Sequence, residues 1–80
     1  MEDLQTLRKE IDEIDNSLVA LFEKRMAIAE QVAAYKIQIG KPVFDKDREQ
    51  EKLSSLGSMA HNEFNRCGIQ QLYEQIMSIS

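Results

Sequence analysis

Eighty residues with 42% hydrophobic content allow one small folded domain that is short of core. A net charge of -4 and a pI near 4.9, with 10 basic residues dispersed among 14 acidic ones, exclude a basic nucleic-acid surface. A single cysteine, Cys67, excludes an internal disulfide framework and fits a reducing cytoplasm; neither it nor His61 has metal-ligand spacing, and no run nears the ~18 apolar residues of a membrane span.

Three helices are predicted, in a single domain over residues 1–80, and the chain reads as all-α. Helix 1 is expected over about residues 3–39. Met1 leads straight into acidic residues (Glu2, Asp3) that suit a helix N-terminus and not a signal peptide. An apolar stripe at 3-4 spacing then runs Leu4, Leu7, Ile11, Ile14, Leu18, Leu21, and resumes at Ile28, Val32, Tyr35 and Ile39. Arg25 occupies the one position where the stripe breaks. A guanidinium stays charged, and burying it alone would cost on the order of several kcal/mol, so it calls for a partner. Leu21, Ile28 and Val32 offer none along the seam. Lys36 follows 11 residues later, at nearly the same azimuth and about 16 Å along the axis. Two cations on an apolar face suggest an anionic ligand. A register-fixing polar residue, or a side chain that snorkels to water, would explain Arg25 as well.

No Gly or Pro interrupts helix 1 before Gly40 and Pro42 end it. A helix of that length measures about 55 Å, against a diameter near 30 Å for a compact chain of this size. Its own chain cannot cover it. The simplest cover is a second copy, so an intertwined homodimeric helical bundle is expected. Lys41-Pro42-Val43-Phe44 reads as an extended link, with Asp45 as the N-cap of helix 2 over about residues 46–60. Leu53, Leu56, Met59 and Ala60 form its apolar positions. Helix 3 is expected over about residues 65–80, with Asn62 or Asn65 as cap and Ile69, Leu72, Tyr73, Ile76 and Ile79 on one face. Gly68 inside it suggests close packing. The pattern has no stop signal at Ser80, and helix 3 is expected to continue past it.

The ordered set Arg8, Arg25, Lys36, Asp45, Arg48 and Glu49, in the contexts LRKEIDEID, FEKR, AAYK and VFDKDREQEKL, closely resembles the all-helical (AroQ-type) chorismate mutases. Each motif alone is weak, whereas the set at these spacings is specific and covers nearly the whole chain. The resemblance implies rearrangement of chorismate to prephenate, without metal or cofactor, in phenylalanine and tyrosine biosynthesis. It implies that Arg25 and Arg8 clamp the two carboxylates. They stand 17 residues apart on one unbroken helix, about 25 Å axially, so both can do so only from different subunits, and Arg8 is expected from the partner. Lys36 would bridge a carboxylate and the ether oxygen, Arg48 would support the carboxylate end, and Glu49 with the Asp45 backbone N–H would hold the ring hydroxyl. Asp12 and Asp15 are expected to be structural.

The reaction is a unimolecular pericyclic shift, so no nucleophile is required. The task is to hold a flexible dianion in its reactive conformer and to meet charge growing on the ether oxygen with fixed donors. Arginine forks suit carboxylates and a lysine supplies a compact point donor. The family also carries a serine and, one turn later, a glutamine on its third helix. Ser80 fits the serine, while the glutamine would fall at position 84. The 80-residue form is accordingly expected to be weak or inactive, and fusions to prephenate dehydratase or dehydrogenase are common in the family. Two other readings remain open: an isochorismate-pyruvate lyase of the same fold, and a non-catalytic helical dimerisation or regulatory module.

Overall fold

The computed structural model describes residues 3–79 and contains three helices in chain order, α1 (Leu4–Gln38), α2 (Lys46–Ser58) and α3 (Glu63–Ile79). No strand occurs among the described residues. The fold is all-α, as the periodicity predicts. The chain groups into two compact units, Met1–Val32 and Ala33–Ser80.

Each helix start is capped by a short polar side chain. The Asp3 carboxylate accepts from the Thr6 backbone N–H at 2.8 Å, and that bond holds the Asp3 carboxyl below its usual range. Asp3 is therefore the cap of α1, and the first turn of that helix carries no acid; Glu2 lies outside the described residues. Asp45, in extended backbone, accepts from Arg48 N–H at 3.0 Å and starts α2 as expected. For α3 the cap is Asn62, whose side-chain oxygen accepts from Asn65 N–H at 2.8 Å. The helix thus begins at Glu63, earlier than the expected Asn65, because Asn62 meets the chain first and leaves Asn65 inside the opening turn. At the end of α2 the Met59 and Ala60 amides turn back to Leu56 and Gly57, both at 3.1 Å, and close the helix at Ser58, two residues before the expected end.

Gly40 ends α1 in the left-handed region, at φ 75°. Gly40 N–H bonds the Ile37 carbonyl at 3.2 Å and Lys41 N–H bonds the Lys36 carbonyl at 2.8 Å, the paired bonds of a Schellman cap. An L side chain at that φ is strained. Gly40→Ala should lower unfolding stability by about 1–2 kcal/mol, and Gly40→Asn, which tolerates this conformation better, by less. Urea denaturation of the two variants beside the parent checks this; equal stability of all three would remove the cap's claim to need glycine.

In the second unit α2 and α3 pack on each other. Gly57 is buried there, and a Cβ added to it would lie 2.6 Å from the Gln70 amide nitrogen and 3.1 Å from that side chain's carbons. Gly68 has open space around it. The close approach expected at Gly68 is found at Gly57. Elsewhere the apolar residues lie open: among the described residues no hydrophobic side chain is buried, and α1 has no buried residue of any kind. Leu4, Ile14 and Leu21 on its stripe are 61%, 59% and 62% exposed.

Candidate active site

The Schellman cap that ends α1 also positions Lys36. Its carbonyl accepts from Lys41 N–H, and its ammonium donates to the Val43 carbonyl across the turn at 3.4 Å, a long bond that leaves donor capacity free. Ahead of this turn lies a solvent-open groove of about 390 Å³, whose walls include Lys36, Lys41, Asp45, Lys46 and Asp47, with Pro42 and Phe44 as its apolar part. Lys36 and Asp45, nine residues apart in sequence, thus share one concavity.

The start of α2 forms the other side of this groove. Asp45 uses its carboxylate on Arg48 N–H, and its carbonyl accepts from Glu49 N–H at 3.1 Å. The amides of Lys46 and Asp47 precede that first intrahelical bond and have no carbonyl within the helix to meet. Helix-end amides attract negative charge, while Asp47 and Glu49 in the first turn already answer part of that field. Arg48 is exposed and Glu49 half-buried in this same turn, though neither belongs to the groove walls.

Arg8 and Arg25 belong to the first unit. Seventeen positions of continuous helix separate them, about 25 Å along the axis and roughly 100° around it, so one α1 cannot aim both at one small molecule. Arg8 is exposed. Arg25 is half-buried and engaged with a partner, which corrects the expectation of an unanswered cation on the seam. Asp12 and Asp15 are exposed. Ser80 lies outside the described residues.

Lys41, Lys46 and Phe44 line the groove without having been marked by sequence. The available signal was positional. A residue directly after a C-terminal glycine returns toward the helix's last turn, and here both that residue and its counterpart in the turn are lysines.

Away from this groove, Arg66 bonds both oxygens of Glu63, with its Nε at 2.9 Å from one of them, and holds that carboxyl below its usual range. The exposed Cys67 thiol donates to the same carboxylate at 3.7 Å. A second, more apolar groove of about 340 Å³ has Met59, Phe64, Ile69 and Leu72 among its walls. No group of side chains that could hold a metal ion occurs among the described residues, and none of their helices is long and apolar enough to cross a membrane.

Comparison with known proteins agrees with the residue pattern. The family described as chorismate mutase type II matches residues 7–80. A chorismate mutase of Methanocaldococcus jannaschii is 45% identical over 49 residues, covering 61% of this chain and 50% of that protein. A bifunctional chorismate mutase/prephenate dehydratase of Buchnera aphidicola is 36% identical over 81 residues, 98% of this chain and 20% of its own length. The chain therefore spans half or less of these curated relatives. Among solved structures, a chorismate mutase from Thermus thermophilus superposes with a TM-score of 0.90 at 27% identity, covering 98% of both chains. With the match extending over residues 7–80, nearly the whole sequence, this chain belongs to the chorismate mutase type II family.

Proposed function

We propose that this chain is a chorismate mutase that converts chorismate to prephenate in the phenylalanine and tyrosine branch of aromatic biosynthesis. The observation that carries the reading is the placement of Lys36: a lysine held by a helix cap in an open groove, beside the amides that begin α2. An ammonium there is a point donor for the ether oxygen as the C–O bond lengthens, and a fixed donor at developing charge supports about 10²–10³ in rate. Arg25 and Arg48 supply planar forks for the carboxylates, and Glu49 with the Asp45 N–H answers the ring hydroxyl. The protein's own groups position the substrate and carry out no bond-making of their own, so each donor acts by being in place beforehand.

The site is completed by a second copy of the chain. The exposed seam of α1 supports this, since burying a leucine or isoleucine contributes roughly 1.5–3 kcal/mol and seven such groups, Leu4, Leu7, Ile11, Ile14, Leu18, Leu21 and Ile28, lie open on each helix of a pair. Antiparallel pairing of two α1 helices carries the Arg8 end of one toward the Arg25 region of the other, so Arg8 serves the partner's site. The cellular setting proposed is the cytoplasm.

Incubating the purified protein with chorismate and following prephenate decides the matter, with isochorismate offered in parallel and salicylate plus pyruvate as the competing readout. Slow prephenate formation from chorismate, still above the rate of the spontaneous reaction, is expected, with binding of a bicyclic dicarboxylate mimic of the transition state. Salicylate and pyruvate formation alone would replace this reading with the lyase. Turnover of neither substrate, together with no binding of a bicyclic dicarboxylate mimic of the transition state, would leave a helical dimerisation module.

A further inference from the structure

The groove beside Lys36 holds a second cation in a fixed relation to it. Lys41 follows Gly40, and its backbone N–H closes onto the Lys36 carbonyl at 2.8 Å. In the Schellman cap these two positions are the pair whose side chains commonly meet in an apolar contact. Here both are lysines, and both line the groove, as does Lys46. Like charges on an apolar-contact pair gain nothing for the cap. They make sense if the groove receives negative charge.

The net charge of these 80 residues sharpens the point. At -4 the chain repels a dianion at long range, and Asp45 and Asp47 stand at the groove itself. A local positive field at the groove offsets that repulsion and raises the encounter of an anionic substrate with Lys36. We propose that Lys41 is a substrate-attracting residue of this groove, which raises the encounter of a dicarboxylate with the Lys36 site without itself touching the reacting ether. The inference rests on the mutase reading and adds to it a role for a residue outside the motif set.

A charge that acts through solvent is screened, and a donor in direct contact is screened far less. That difference supplies the test. Binding of the bicyclic dicarboxylate mimic is measured by calorimetry for the parent, Lys41→Gln and Lys41→Arg, at about 20 mM and about 0.5 M salt. The backbone N–H that closes the cap is common to all three, so the turn is retained. Lys41→Gln should weaken binding about three- to fivefold at low salt, with the difference vanishing at high salt, and Lys41→Arg should match the parent throughout. In turnover the same change should raise KM and leave kcat within about twofold. Equal binding by the parent and Lys41→Gln at low salt overturns the assignment. So does a loss that persists undiminished at high salt, which would make Lys41 a contact residue. Failure of the parent to bind the mimic at either salt sinks the mutase reading, and this role with it.

Discussion

Lys36→Ala should reduce kcat for prephenate formation by about 10²–10³, the cost of removing one preorganised donor from developing charge, while leaving the unfolding midpoint nearly unchanged. The two halves of that expectation have different origins in the structure. The contribution of Lys36 to the fold is its carbonyl, which the Lys41 amide caps, and alanine keeps the carbonyl. Its side chain makes one long bond to Val43 and otherwise faces the groove. On the proposed reading, stability therefore lives on the backbone and activity on the ammonium. Lys36→Arg should recover little of the rate, because a broad fork cannot take the place of a point donor at a single oxygen. A mutant that unfolds readily, or one that keeps full kcat with only a raised KM, would show that Lys36 is a structural or merely attractive charge.

Much of this arrangement was legible in the residues, for reasons that differ from element to element. α1 was legible because eleven evenly spaced seam positions and the absence of Gly or Pro leave no competing period, and Gly40 with Pro42 leaves no competing stop. Asp45 was legible as a cap because the preceding Pro42 segment is extended and nothing nearby competes for Arg48 N–H. The start of α3 was harder, since Asn62 and Asn65 are equally good caps by type and only the observed bond from Asn65 N–H to Asn62 separates them. The two glycines could not be told apart at all. Both interrupt helical runs, and which one faces a neighbouring helix depends on how α2 meets α3, which local pattern does not encode. Lys41 was hidden for a related reason: as a letter between Gly and Pro it looks like linker, and it becomes part of the groove only through the reversal that Gly40 makes. For the motif residues the resemblance supplied roles, and the structure adds position only for those in the second unit.

The first unit carries the remaining expectation. Arg8 and Arg25 cannot act on one ligand from a single α1, since about 25 Å of helix rise lies between them and neither side chain spans such a distance. If both serve the site, each site takes one from each of two subunits. Arg8→Ala and Arg25→Ala homodimers should then each lose about 10²–10³ in kcat/KM, since every site lacks one clamp. Co-refolding the two variants one to one should restore activity to about a quarter of wild type. Random assortment makes about half of the dimers mixed, and each mixed dimer holds one doubly damaged site and one intact site. The recovery should follow the mixing ratio and peak at equal amounts. A site built within one chain, or a site that never uses Arg8, has no intact combination to form. In that case the mixture would show no more than the average of the two damaged enzymes, and the shared-site dimer would have to be abandoned.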